Sequence, residues 1–409
     1  MKIALVCPYD IAYPGGVTNH VTRFAEHARK LGHVVTVIAP SSRKISKEGF
    51  VRAGKAIPLP IKGGTVSRLA FSFWNFPKVK KLFNRGQYDV IHIHEPGAPL
   101  LGLFALAYAP QGKSAIVTTS HTNTPHNFFM DAYISITKSI WLAKHLMRKV
   151  DLKIAVSEAA RGFISKYFPG EYLIMPNGVD TARFKPTATP IGQYADGKVN
   201  ILFVGRLGNN EKRKGLKYLI LAFNKLQSRH PNTRLIVVGP GKPDGDTKRI
   251  IKAHGNREII FAGKVSPEEL PRYYATADIF CSPATHGESF GMVLIEAMAS
   301  GKPVVASNID GYKEVILEQS RKTEIATPAI LQAGPGILVR PKNVYALAIA
   351  LEMLTTDEKL RKKMGAKGRK LVLERFSWER VSVMILDAYK RATAAKKQRK
   401  ESVQKVRTK

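Results

Sequence analysis

Residues 2–40 read KIALVCPYDIAYPGGVTNHVTRFAEHARKLGHVVTVIAP, and this stretch decides the fold class. Two short β-rich runs, 2–9 and 33–40, enclose a segment in which Val17, Val21, Phe24, Ala25, Ala28 and Leu31 recur at helical spacing. A strand, a helix and a second strand in that order imply parallel pairing closed by a crossover helix. The alternation continues with strand-like runs at 89–96, 114–122 and 152–157. It breaks at PNGVDTARFKP, 176–186, and restarts with runs at 199–207, 233–241, 258–265, 277–284 and 302–307. The expected fold is α/β, with two doubly wound, Rossmann-like parallel-sheet domains facing across a cleft. In such sheets ligands bind outside the carboxyl ends of the strands.

Composition fits this reading. The 409 residues are 44% hydrophobic and 23% charged, enough apolar material for two cores. Cys7 and Cys281 lie in or beside apolar runs, as small buried residues do, and a disulfide framework is not indicated. The N-terminus has too short an apolar run for a signal peptide, and the longest one, 100–109, is about half of a bilayer crossing. A cytoplasmic protein is expected. The net charge of +34 attracts polyanions without saying which. Part of it sits from Arg391 onward, where eight basic residues face one acid in a segment that reads as a solvated end.

Three stretches carry candidate chemistry. In PYDIAYPGGVTNH, Gly15 and Gly16 stand where a helix begins, a plain turn or a place where phosphate meets backbone N–H groups. In GRLGNNEKRKG, 205–215, Arg206, Lys212, Arg213 and Lys214 follow a strand end, as a solvated charge run or as cations that neutralise a diphosphate without a metal. In HGESFGMVLIEAMASGKP, 286–303, Glu288 and Glu296 have seven residues between them, and Gly287 and Gly291 flank a helix start. On one helix the two carboxylates would stand about 12 Å apart and about 80° around. A buried Glu296 needs partners, which ligand hydroxyls would supply.

Phosphate-friendly loops, cations and hydroxyl-seeking carboxylates together describe a nucleotide sugar. From PGGV through HIHEP, SHT, PNGVD, GR…RKG and ESFG…EAMA, nearly the whole chain resembles the retaining glycosyltransferases of family four, which have the GT-B fold. VCPYDIAYPGGV and HIHEPGAP are most similar to the members that mannosylate phosphatidylinositol. The resemblance implies an acceptor domain at 1–172, a nucleotide-sugar domain at 173–376, a helix at about 377–395 that returns to the first domain, and a basic tail at 396–409. It also implies residue roles. Gly15 and Gly16 would lie against the diphosphate, which Arg206 and Lys214 would hold. Glu288, with Ser289, Phe290 and Gly291, would meet the transferred sugar, Glu296 the ribose, and backbone near Val265 the base. His121 would orient the reacting sugar, while Tyr9 and Arg68 would contact the phosphoinositol head group.

The activity implied is transfer of mannose from GDP-mannose to a phosphatidylinositol-type lipid at the inner membrane face, with no metal strictly required. UDP-glucose or UDP-N-acetylglucosamine, with another lipid or a soluble acceptor, stays open as donor and acceptor chemistry. Nucleic-acid binding would leave Glu288 and Glu296 unexplained, and no such motif is present. Asp244 and Asp246 fit turn chemistry better than a metal pair, and His92 and His94 share a strand face with no third ligand in view. The segment 314–336 is longer than the family's usual connection. Within 68–87, Pro77 is placed to begin a helix in which Val79, Leu82 and Phe83 phase to one side with Lys78, Lys80, Lys81 and Arg85 around the other, an interfacial pattern. Phe71, Phe73, Trp74 and Phe76 before it could dip among anionic lipid head groups or belong to the core.

Overall fold

The computed structural model describes residues 1–407 except Pro14, Lys47, 61–65, 71–75, 98–100, Gln111, 124–144, 256–257, 318–324 and 327–328. The chain forms two compact units, which divide between Gly178 and Val179 and again between Ser377 and Trp378. The first therefore holds both the N-terminal half and the last helix.

In the first unit the elements are β1 (Lys2–Val6), α1 (Gly16–Lys30), β2 (Val34–Ala39), β3 (Phe50–Arg52), β4 (Ala56–Pro60), β5 (Val66–Ala70), α2 (Phe76–Gly86), β6 (Val90–His94), α3 (Leu101–Tyr108), β7 (Ala115–Ser120), β8 (Leu152–Ala155), α4 (Glu158–Ile164) and β9 (Leu173–Ile174). The main sheet has the order β3-β2-β1-β6-β7-β8-β9, every pair parallel, and β4 and β5 make a separate antiparallel pair. Ile3 to Val6 are buried on both faces because helices cover both sides, so the strand reads as one unbroken apolar run. On one side α1 lays down Val21, Phe24, Ala25 and Ala28, the expected stripe, although Leu31 falls just past the helix end and is exposed.

The second unit runs β10 (Val199–Val204), α5 (Leu216–Gln227), β11 (Thr233–Val238), α6 (Gly245–His254), β12 (Ile259–Gly263), α7 (Leu270–Thr276), β13 (Ile279–Ser282), α8 (Met292–Ala299), β14 (Val304–Ser307), α9 (Asp310–Leu317), β15 (Ile325–Ala326), β16 (Ile330–Ala333), β17 (Gly336–Val339), α10 (Val344–Thr356) and α11 (Glu358–Leu371). Its sheet order is β12-β11-β10-β13-β14-β17-β16-β15, parallel as far as β17 and antiparallel at the last two strands. All ten expected strands are present. The described part of the long 314–336 segment completes α9, adds β15 and β16 and enters β17, while 318–324 and 327–328 lie outside the described residues.

The last helix, α12 (Trp378–Arg407), belongs to the first unit and continues through the basic stretch to Arg407. Trp378, Val381, Ile385, Tyr389 and Ala392 recur at helical spacing and are buried with Phe24 and Val21 of α1. No described helix is long and apolar enough to cross a membrane. The expected interfacial helix needs a correction. In α2, Val79 and Phe83 are buried in the core with Ile91 and Leu106, and Leu82 packs against it, so the apolar side faces protein and not lipid. Its other side is exposed and basic, with Lys78, Lys80, Lys81 and Arg85. Phe71, Phe73 and Trp74 lie outside the described residues, as does the side chain of Phe76.

Candidate active site

In the second unit two strand-end loops meet. The loop after β10 passes through a helical turn, Asn209–Lys214, and the loop after β13 runs from Pro283 to Gly291; Thr285 N–H donates to Arg213 C=O at 2.7 Å and ties them together. Gly215 allows the approach. It has φ +76°, and a Cβ there would fall 1.9 Å from the Pro283 carbonyl oxygen. Lys214 is thereby pressed beside the second loop, where one carboxylate oxygen, Glu288 Oε1, accepts from Arg213 Nη1 at 2.6 Å and from Lys214 Nζ at 2.8 Å.

The pairing extends further. Glu211, 5% exposed, lies 2.8 Å from Arg206 Nη2 and 3.5 Å from Arg213 Nη2. A chain of alternating charge, Arg206–Glu211–Arg213–Glu288–Lys214, therefore runs along the strand ends. Burial pushes the Glu288 carboxyl upward, but the charges of Lys214 and Arg213 outweigh it and hold the group below the usual carboxylate value. Arg206, 47% exposed, keeps its guanidinium within reach of a ligand. It lines one pocket with Lys214, Tyr218 and Pro243. Asp244 caps α6 by accepting from the backbone N–H groups of Asp246 and Thr247, as turn chemistry requires.

Glu296 sits within α8, partly accessible, and accepts from Tyr274 Oη at 2.8 Å. Burial pushes its pKa up to about 7, against the Tyr274 hydrogen bond and the Arg183 charge. The expected helical relation between the two glutamates does not hold. Gly291 has φ +98° and caps the start of α8, so Glu288 precedes the helix instead of riding on it. Phe290 is buried against Phe376, which leaves only its backbone to meet a ligand, and Val265 is half-buried just past β12.

In the first unit Gly15 caps α1, and a Cβ on Gly16 would have nothing within 4 Å, so its backbone is approachable. Tyr9 is partly buried beside the α1 core, and the side chain of Arg68, on β5, lies outside the described residues. His121 follows β7 and is 9% exposed. Its backbone N–H donates to Glu95 Oε1 at 2.7 Å, and Thr122 Oγ1 donates to the same oxygen at 2.8 Å. Glu95 itself has φ +49°, a conformation that side chains rarely adopt and that this double contact explains. His94 Nδ1 lies 3.0 Å from His121 Nε2, and His20 Nδ1 lies 2.9 Å from Asn177 Oδ1. Burial lowers the pKa of all three imidazoles, that of His20 to about 4, so they are neutral at pH 7.

Residues 14–183 match the family Glycosyltransferase Family 4, and 186–371 match Glycosyl transferases group 1. A phosphatidyl-myo-inositol mannosyltransferase of Mycolicibacterium smegmatis is 34% identical over 97% of this chain and 95% of its own. One of Mycobacterium tuberculosis is 35% identical over 95% and 96%. The chain belongs to glycosyltransferase family 4. A sucrose-phosphate synthase structure from Thermosynechococcus elongatus superposes with TM-score 0.69 at 21% identity, covering 96% of this chain and 99% of that one, which shows the shared GT-B fold.

For this family-4 glycosyltransferase the sequence had named Arg206, Arg213, Lys214 and Glu288, and the structure adds Glu211 to them and pairs Arg213 with Glu288. His20 was also missed. Its signal was present, since it stands three residues after Val17 and four before Phe24 on the buried stripe of α1.

Glu296 gives a pH prediction. Its folded pKa of about 7 exceeds the unfolded value of 4.5, so the folded state holds the extra proton between them. The stability it contributes is present below pH 4.5 and is lost as pH rises through 7. Glu296→Gln should therefore gain about 2 kcal/mol on the parent protein between pH 5 and pH 8. Denaturant unfolding at the two pH values measures it; a pH-independent difference would place the folded pKa near the unfolded one.

Proposed function

We propose that the protein transfers mannose from GDP-mannose to a phosphatidylinositol-type lipid with retention of configuration. The observation that carries this reading is the likeness, over nearly the full chain, to relatives that bear the name phosphatidyl-myo-inositol mannosyltransferase. The geometry of the second unit supports it. Lys214 and Arg206 are positioned to take the donor diphosphate, and Lys214 can turn to a phosphate because Arg213 continues to neutralise Glu288. Glu288 then accepts hydroxyls of the sugar, and Glu296 those of the ribose. The acceptor hydroxyl attacks the anomeric carbon from the face the diphosphate leaves. The bond to the β-phosphate oxygen breaks, and the hydroxyl proton passes to that phosphate. The sequence offers no evident acid pair for double displacement, and in this scheme charge stabilisation of the leaving group and positioning supply the acceleration. No metal is required in this scheme, since the cations do its work.

Acceptor lipid would be met at the inner membrane face. The exposed basic side of α2 supports an electrostatic contact there, in which Lys78, Lys80, Lys81 and Arg85 each contribute about 1 kcal/mol at an anionic surface. Because its apolar side is core, this contact should be reversible and salt-sensitive.

Arg206→Ala and Lys214→Ala should each lower turnover at least about a hundredfold, the scale of one preorganised electrostatic contact. Near-normal turnover in both would remove the diphosphate assignment. In a thermal-shift comparison GDP-mannose should raise Tm more than UDP-glucose or UDP-N-acetylglucosamine does; the opposite ranking would exclude the donor proposed. Lys78, Lys80, Lys81 and Arg85 changed together to Ser should weaken co-sedimentation with anionic vesicles and leave the GDP-mannose shift intact. Unchanged co-sedimentation would move the membrane contact elsewhere, the α12 basic stretch being the alternative.

A further inference from the structure

Three buried imidazoles from three separate elements converge in the first unit: His20 of α1, His94 at the end of β6 and His121 just after β7. One ligand nitrogen from each lies within 4.8 Å of the others. The ring centroids of His20 are 5.4 Å from His94 and 4.8 Å from His121. Two of the nitrogens, His20 Nε2 and His94 Nε2, are buried with no hydrogen-bond partner among the described residues. Leaving such an atom unsatisfied is costly, and a native cluster with two of them calls for an explanation.

The hydrogen bonds show which form these rings take. Asn177 Oδ1 can only accept, so His20 carries its proton on Nδ1, and Nε2 presents a lone pair. With the shared proton of the 3.0 Å contact on His94 Nδ1, His94 Nε2 is a lone-pair nitrogen as well, and His121 Nε2, which accepts that proton, gives up the contact when it turns to a cation. A neutral imidazole whose remote N–H is held by a carbonyl is the arrangement that metal-binding histidines adopt. We propose that His20, His94 and His121 form a binding site for a borderline-soft divalent cation, with Zn2+ as the probe.

Ligand type sets the selectivity. Three nitrogen donors suit Zn2+, Co2+ or Ni2+, whereas Mg2+ and Ca2+ want oxygen. The nearby Glu95 carboxylate is already engaged by His121 N–H and Thr122 Oγ1. Zinc–nitrogen bonds of about 2.0–2.1 Å place ligand nitrogens about 3.3 Å apart, so closure needs side-chain rotations of about 1.5 Å at most. Three protein ligands leave a fourth position open. The histidines belong to the first unit and the cations proposed for the diphosphate to the second, and the proposed transfer reaction has no use for a metal. Its consequence for turnover rests on the functional reading: if His121 borders the transferred sugar, a cation there competes with the donor.

Cobalt is the spectroscopic test. Co2+ titrated into the full chain without nucleotide sugar should give the intense visible bands of a four-coordinate ion, saturating at one equivalent and abolished by Zn2+ but not by Mg2+. His20→Gln and His94→Gln should each weaken binding more than about a hundredfold, beyond the range of outer-shell changes. Bands that persist in both variants, or never saturate at one equivalent, would overturn the site. X-ray absorption at the zinc edge of the unmutated chain does not depend on variants that fold: three imidazole nitrogens support the proposal, and an oxygen-dominated shell refutes it. Displacement of Co2+ by GDP-mannose would place the cation at the sugar position. Binding without displacement keeps the cation site and takes His121 away from the sugar.

Discussion

The site depends on one carboxylate oxygen held by two cations. Glu288, 13% exposed, would be costly to bury as a lone anion, and Arg213 and Lys214 converge on Oε1 to offset that cost. The convergence requires two loops to touch, which requires Gly215 to lie against the Pro283 carbonyl. Those loops touch because β10 and β13 are neighbours in a parallel sheet. The distance from sheet topology to a charged site is thus only a few residues. Truncating either cation would weaken the pairing of Glu288 in a poorly hydrated place, so local order here rests on the cations themselves.

The strands were legible because parallel strands covered on both sides must be apolar throughout. VVTVIA and TRLIVV carry that signature without reference to anything else. The short strands were not. β3 and β9 have three and two residues, too few for a period, and β15 and β16 are antiparallel additions inside a segment with little patterning. Glu288 and Glu296 were legible as a spaced pair of carboxylates, but their mutual geometry was not. Gly291 could as well have been an interior helix residue, and only its left-handed backbone separates Glu288 from α8.

A further reading changed, and another was reopened, because a face is defined by what covers it. The stripe of α2 has the period of an interfacial helix, yet the period is equally that of a helix laid on a sheet, and Val79 and Phe83 are in the core. His92 and His94 alternate on a strand and gave no third ligand along the chain. His20 and His121 come from elements 74 and 27 residues away in sequence from His94, brought alongside by the β1–β6 and β6–β7 pairings. His92 itself is taken up by Tyr389 and Thr119, and so serves to seat α12.

The central claim is that the charge chain around Glu288 serves mannosyl transfer to an inositol phospholipid. Product analysis tests it most directly: the purified chain, GDP-mannose and vesicles containing phosphatidylinositol, with the lipid fraction examined by mass spectrometry and the anomeric configuration by NMR. The account predicts an α-mannosylated phosphatidylinositol formed in step with GDP release. Lipid left unmodified while a different nucleotide sugar or a soluble alcohol is consumed, or a product of inverted configuration, would contradict it.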